Sequence, residues 1–135
     1  MFRPYDQKQA FLLPPSLSDF LDEDHPAHVI NDIVDGLNLS SLERRYGNMG
    51  QPAYHPRMMI KVILYGFTVG IFSSRRLQRA CQENLAFKFL AGMETPAFKT
   101  FIEFRRRHRS DMKAVFAQTV KVSLELGLAR LGAVA

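Results

Sequence analysis

The chain has 135 residues, of which 47% are apolar, so it suits one domain with a hydrophobic core and is too short for two ordinary domains. Its single cysteine, Cys81, excludes an intrachain disulfide and a cysteine-based metal site. The net charge of +5 is uneven: residues 51–110 carry 11 basic and 3 acidic residues, whereas residues 1–50 carry 4 basic and 8 acidic ones. Such a basic region favours a polyanionic partner, and a solvated basic face is the alternative.

The sequence contains no pattern typical of export or membrane insertion. The first twenty residues lack the unbroken apolar run of a signal peptide. The longest apolar stretch, MMIKVILYGFTVGIF, contains Lys61 and is shorter than the roughly 20 residues that a membrane span needs. We therefore expect a cytoplasmic protein with no membrane partner.

The N-terminal third predicts an irregular arm followed by helices. Residues 1–15 form the arm, because they end in two prolines, which cannot continue a helix. A short helix is expected over residues 16–21. The stretch EDHPAHVINDIVDGLNL predicts a longer helix with Pro26 in its first turn, an apolar stripe along one side and Gly36 at its end. A short turn, SSLERRYG, and the loop NMGQPAY follow.

The segment HPRMMIKVILYGFTVGIF predicts the central helix of the fold. Its apolar residues lie almost all round the helix, so we expect it to be the most buried element. Gly66 and Gly70 are four residues apart in this helix. Their spacing favours the close approach of a neighbouring helix over a functional role.

Further helices are expected over residues 74–84, 85–91 and 96–107, and over a last segment that ends at Gly127. No segment before residue 128 alternates with a period of two, so the sequence predicts an all-α, multi-helix bundle over residues 16–127. Residues 128–135 are small and apolar. We expect them to be either a frayed terminus or the start of a strand.

The segment TPAFKTFIEFRRRHRSD contains the best candidate for a binding helix. Thr95 is expected to cap this helix and Pro96 to open it. At about 100° per residue, one side is apolar and holds Phe98, Phe101 and Ile102, with Phe104 at its margin and Arg105 as an awkward exception. The opposite side is polar and holds Lys99, Glu103, Arg106 and Arg107, with Thr100 at its edge.

The three short helices predicted over residues 74–107 have the dimensions of a trihelical helix-turn-helix unit. The last helix of such a unit enters the major groove of DNA, where arginine and lysine reach guanine edges or phosphates. On the first helix, Arg75, Arg76 and Arg79 are placed to contact the DNA backbone. Many bundles contain three short helices, and a basic helix end also suits the dipole at its own C-terminus. The residues alone therefore leave DNA binding and a solvated helix end equally open.

Other candidate sites are weaker. His25 and His28 share a helix face but lack a third ligand, so we expect no metal site. Cys81 lies on an apolar stripe and is interpreted as a packed core thiol. The run Asp22, Glu23 and Asp24 has diverging side chains, whereas two-metal chemistry needs carboxylates from separate elements. We find no nucleophile–base pair and no glycine-rich phosphate loop, and so expect no complete enzyme, no cofactor and no small-molecule substrate.

Two segments together resemble a known family. YHPRMMIKVILYGFTVGIFSSRRLQRACQENLAFKFLAG, followed by TPAFKTFIEFRRRH, resembles the N-terminal domain of bacterial insertion-sequence transposases of the DDE class, often called the transposase InsH N-terminal domain. The leader LLPPSLSDFLDEDHPAHVINDIVDGL is similar to the leader of such proteins, so the resemblance spans residues 11–131. Relatives often have a polar and a small residue where this chain has Phe98 and Phe101.

The resemblance implies a module that binds the terminal inverted repeats of its insertion sequence and positions them for a ribonuclease H-like catalytic domain. In relatives, a segment like LGLARLGAVA precedes a strand with the first catalytic aspartate. Residues 128–135 are therefore interpreted as the truncated start of that strand. The resemblance assigns no catalytic residue to this chain. It implies a divalent metal such as magnesium only for the catalytic domain. The candidate contacts to double-stranded DNA are Arg75, Arg76, Arg79, Lys99, Thr100, Glu103, Arg106 and Arg107.

Two alternatives to this hypothesis stay open. One is an assembly module, in which MMIKVILYGFTVGIF and DMKAVFAQTVKVSLEL form an interface between copies in a homo-oligomer. The other is a stand-alone helix-turn-helix regulator, which fits the three helices but not the apolar tail.

Overall fold

The computed structural model describes residues 2–8, 16–44 and 54–134. These residues contain one 3₁₀ helix (Leu17–Phe20), seven α-helices and no strand. The α-helices are α1 (Pro26–Asp35), α2 (Ser40–Arg44), α3 (Pro56–Val69), α4 (Ser74–Glu83), α5 (Leu85–Leu90), α6 (Phe98–Arg107) and α7 (Arg109–Val134). The all-α prediction is confirmed for this part of the chain. The predicted arm is described only at residues 2–8, which form no helix, and the predicted loop at residues 48–54 lies almost wholly outside the described residues.

α1 and α3 begin with the same His-Pro pair. His25 Nδ1 accepts a hydrogen bond from the Ala27 N–H at 3.0 Å, and His55 Nδ1 accepts one from the Arg57 N–H at 3.1 Å. Each histidine thereby satisfies one N–H that the first turn of a helix leaves without a partner. The proline that follows has no N–H to satisfy and is preset for the helix. His25 therefore has a structural role at the start of α1.

α3 is the central helix, as its all-round apolar pattern predicts. It packs against α1, α4 and α5. Its buried residues are Pro56, Met59, Ile60, Val62, Ile63, Leu64, Tyr65 and Gly66. Ile60 and Val62 are fully buried, and each such side chain stabilises the fold by about 1.5–3 kcal/mol. Within the described residues no single helix has the length and apolar character to cross a membrane. α3 and α4 reach that length and composition only together, as a pair bent by 100°.

The two glycines of α3 have different roles. A Cβ on Gly66 would lie 2.6 Å from the Ile71 carbonyl oxygen and 2.7 Å from Leu77 Cδ2, so the chain after α3 and the first turns of α4 approach closely only because Gly66 has no side chain. Gly70 ends α3 in the left-handed conformation with φ of 83°, and a Cβ there would meet nothing within 4 Å. Close packing is thus confirmed for Gly66, whereas Gly70 caps the helix.

Two basic side chains of α3 hold the C-terminal end of α1. Arg57 Nη1 donates to the carbonyl oxygen of Val34, in the last turn of α1, and to that of Leu37, just beyond the helix. Lys61 Nζ lies 2.7 Å from Asp35 Oδ1. These contacts fix α1 on α3 and use two of the cations in the basic region.

α7 runs without a break from Arg109 to Val134, over roughly 39 Å at about 1.5 Å per residue. The expectation that the last helix ends at Gly127, and that residues 128–135 begin a strand or fray, is therefore wrong for residues 128–134. The two glycines in this segment, Gly127 and Gly132, each cost a helix only about 1 kcal/mol relative to alanine. The residues around Gly127 are mostly leucine and alanine, which are strong helix formers, and no proline follows.

Candidate nucleic-acid interface

α4, α5 and α6 form a contiguous unit in which α4 packs against both of the other helices. Asn84 joins α4 to α5: it ends α4, and its Oδ1 accepts the N–H groups of Ala86 at 2.9 Å and Phe87 at 3.3 Å. After α5 the chain turns through Gly92 and Met93, both with positive φ. These short connections determine that α6 returns along α4.

The start of α6 is fixed by a residue of α4. The helix begins at Phe98 with Ala97 at the cap position, so the expectation that Thr95 caps it and Pro96 opens it is wrong. Ala97 has no side chain that can cap, and the Phe98 N–H instead donates to Gln78 Oε1 at 2.8 Å. Gln78 lies 20 residues earlier in the chain. The N-terminus of α6 therefore forms only against α4.

Two further contacts hold α6 on α4. The Arg75 guanidinium lies over the Phe98 ring, 4.0 Å from its centroid, at a distance typical of a cation–π interaction. Nearer the other end of α6, Arg105 Nη1 donates to Ser74 Oγ at 3.4 Å. Arg105 is half-buried, and burial lowers its pKa, but an arginine keeps its charge at neutral pH. This contact explains how an arginine fits on the inner side of α6.

The inward side of α6 differs from the one expected from the sequence. Phe101 and Phe104 are buried, whereas Ile102 is 48% exposed. Phe104 was expected at the margin and Ile102 on the apolar side, and both expectations are wrong. The inner side continues into His108, which is 1% exposed and begins the turn into α7. α6 is thus rotated so that an aliphatic side chain lies on its solvent side.

Of the eight candidate DNA contacts, seven are exposed and lie on the outer sides of α4 and α6: Arg75, Arg76, Arg79, Lys99, Glu103, Arg106 and Arg107. Thr100 is half-buried at the edge. Because α4 and α6 pack side by side, these residues are accessible to one partner on adjacent helices. We call the seven exposed residues the basic surface. It presents six cations and one carboxylate.

The carboxylate of the basic surface is paired with one of its cations. Arg106 Nη2 lies 2.7 Å from Glu103 Oε2. The hydrogen bond and the charge of Arg106 lower the pKa of Glu103, and the same pair raises the pKa of Arg106. Both side chains are exposed, so water screens the pair and it contributes little to stability. Arg106 can therefore leave Glu103 for a phosphate or a base edge at small cost.

The described residues offer little metal or thiol chemistry. Among them, no group of three or more histidine, cysteine or acidic side chains is placed to hold a metal ion. Cys81 is fully buried, and burial raises its pKa to about 11, so the reactive thiolate is scarce at neutral pH. The packed core thiol expected at Cys81 is confirmed. What the basic surface offers is hydrogen bonding and positive charge.

The chain matches a known protein family over more than half of its length. A family model described as a transposase domain (DUF772) matches residues 15–107. The match runs from just before the 3₁₀ helix to the end of α6, and includes the whole basic surface. No curated protein and no solved structure matches the chain.

Proposed function

Because the chain belongs to the transposase domain family DUF772, we propose that it is the DNA-binding N-terminal module of a transposase. Membership of this family points to a role with DNA in general. The finer proposal is that α4, α5 and α6 act as a helix-turn-helix unit that recognises the terminal inverted repeats of an insertion sequence. We also propose that the parent transposase is of the DDE class and the InsH type, which the sequence resembles, and that it is located in the cytoplasm.

The observation that carries the proposal is the basic surface on two helices that are fixed to each other. Gln78 and Ser74 of α4 hold the two ends of α6, so the cations of both helices keep their relative positions. Because the two helices are already held together, little backbone freedom is lost on binding, which favours affinity. A basic face that contacts only solvent would not need its two helices to be held together.

Each helix has a distinct role in this proposal. Arg75, Arg76 and Arg79 of α4 contact phosphates and fix the register of the protein on the duplex. α6 enters the major groove, which admits one helix, and Lys99 and Arg106 reach guanine edges there.

The proposal is tested by titrating the inverted repeat that flanks the gene, and a scrambled duplex of equal length, over a series of salt concentrations. We expect tighter binding to the repeat, and a slope of log affinity against log salt of about −0.9 for each phosphate neutralised. A flat salt response would contradict DNA binding. Equal affinity for the two duplexes would contradict recognition of the repeat while leaving nonspecific binding.

A second candidate function is assembly of the transposase from several copies. The two apolar segments expected to form such an interface lie in α3 and α7, and in the structure they line one open groove. A stand-alone regulator would use the same basic surface on a different DNA sequence. Neither role assigns a catalytic residue to the described part of the chain. We propose that magnesium binds only in a catalytic domain of the parent transposase.

A further inference from the structure

An open apolar groove lies between the end of α3, the loop after it, α6 and the first turns of α7. Its volume is about 950 Å³. Its floor includes Phe67, Phe72, Ile102 and Phe116. Phe67 is 60% exposed, Phe72 55% and Ile102 48%, so these side chains lie in the groove without being covered by the fold. Contiguous exposed apolar surface of this kind usually marks a binding site.

The aromatic rings of the floor pack edge to face. The ring centroids of Phe67 and Phe72 are 5.5 Å apart, and those of Phe67 and Phe116 are 5.3 Å apart. This arrangement gives an uneven apolar floor and not a row of parallel ring planes on which bases stack. The floor therefore suits the apolar side chains of a protein better than a nucleic-acid strand.

The rim of the groove is strongly basic. Four cationic side chains line the groove: Arg105, Arg106, Arg109 and Lys113. Arg105 is bound to Ser74 and Arg106 is paired with Glu103. Arg109 and Lys113 are exposed. Among the described residues that line the groove, none is acidic. The occupant that fits this chemistry has an apolar anchor flanked by carboxylates.

The chain itself carries such a segment. Residues 16–24, here called the acidic segment, hold Phe20, which is 50% exposed, and the exposed acids Asp19, Asp22, Glu23 and Asp24. The 3₁₀ helix in this segment packs against α5, whereas the groove lies between α3, α6 and α7. The acidic segment of one copy is thus held on a different element from the groove of the same copy.

We propose that a second copy of the chain binds in the groove through its acidic segment, with the exposed side of Phe20 against the apolar floor and its acids against the rim cations Arg109 and Lys113. In a reciprocal pair, each copy supplies one groove and one acidic segment. This inference does not depend on DNA binding.

The test is sedimentation of the full chain over a range of concentrations, without DNA. Two double variants reverse the charges on each side: Arg109→Glu with Lys113→Glu in the rim, and Asp22→Lys with Asp24→Lys in the acidic segment. We expect the wild type to associate, and each double variant to raise the dissociation constant at least about tenfold. Mixing the two variants pairs each reversed rim with a reversed segment, and is expected to restore association.

Further variants control for folding and for non-specific association through exposed apolar side chains. Phe67→Ser is expected to weaken association, whereas Val69→Ser, on the same helix and 45% exposed but not lining the groove, is expected to leave it unchanged. Circular dichroism and the melting temperature check that every variant is folded. Arg109 and Lys113 are not among the candidate DNA contacts, so the rim variant is expected to keep DNA binding.

Three outcomes would overturn the inference. The first is a wild type that stays monomeric at the highest attainable concentration. The second is association that is insensitive to both charge reversals, and the third is failure of the mixed variants to associate. Loss of DNA binding with association intact would contradict the proposed function alone.

Discussion

The basic residues of α3 and those of α4 and α6 have different roles. Arg57 and Lys61 of α3 are half-buried and bound to the end of α1, through two backbone carbonyls and an aspartate. Arg79 and Lys99 are exposed on helices that pack side by side. A cation removed from water must be paired, because its desolvation is costly. The charge of an exposed cation remains available to attract a polyanion. Position within the fold, and not residue type, separates structural cations from those that can bind a partner.

α3 and α4 meet at Gly66, and a substitution at this residue is expected to have the largest effect on the free energy of unfolding. A Cβ there would lie within 2.7 Å of both the Ile71 carbonyl oxygen and Leu77 Cδ2. Because backbone is one of the two clashing groups, Gly66→Ala is expected to lower the free energy of unfolding by about 3 kcal/mol, as measured in urea. Gly36→Ala is the control, since its Cβ would lie 3.5 Å from its nearest neighbour, and it is expected to change stability by less than about 0.5 kcal/mol. Equal effects would contradict the close approach at Gly66.

Arg57→Ala tests whether the α3 cations are structural. It leaves the carbonyl oxygens of Val34 and Leu37 without this donor, so we expect a loss of about 2 kcal/mol in the free energy of unfolding. Arg79→Ala is the matched control, and is expected to change stability by less than about 0.5 kcal/mol while weakening DNA binding. If Arg79→Ala destabilised the fold as much as Arg57→Ala, the distinction between the two regions would be lost.

Gln78→Ala tests how α6 is fixed to α4. It removes the acceptor for the Phe98 N–H and is expected to cost about 1 kcal/mol of stability, as for a lost helix cap. Gln78→Glu keeps an acceptor oxygen and adds a favourable charge at the helix N-terminus, so stability is expected to be retained. Gln82→Ala, exposed on the same helix, serves as the control. Loss of stability in Gln78→Glu equal to that in Gln78→Ala would contradict the capping role.

Glu103→Gln is expected to have the smallest effect, a rise in DNA affinity of a few fold, because it removes a negative charge from the basic surface and releases Arg106. Glu83→Gln on α4 is the control for a lost charge elsewhere. In the wild type the folded-state pKa of Glu103 is lowered, so its ion pair adds stability above the ordinary carboxyl pKa and loses it as the pH falls through the folded-state pKa. A lower DNA affinity for Glu103→Gln than for Glu83→Gln would show that the carboxylate itself contacts DNA favourably.

The sequence predicts what local patterns determine and misses what distant contacts decide. The His-Pro starts of α1 and α3 and the burial of α3 follow from short-range rules, and the structure confirms them. The start of α6 was misplaced because its cap comes from Gln78 on another helix. The exposure of Ile102 and the burial of Phe104 depend on how α6 rests on α4, which periodicity alone does not fix. The charge count of residues 51–110 likewise included Arg57 and Lys61, which are bound within the fold.

The central claim is that the position of the cations on α4 and α6, and not the net charge, determines DNA binding. It is tested most directly with two double variants that remove equal charge: Arg79→Ala with Lys99→Ala from the basic surface, and Arg3→Ala with Lys121→Ala from exposed positions elsewhere. For the first, the account predicts that the affinity for the inverted repeat falls steeply and the salt slope decreases by about 0.9 per lost contact. For the second it predicts a nearly unchanged slope. Equal losses in the two variants, or no loss in the first, would contradict the account.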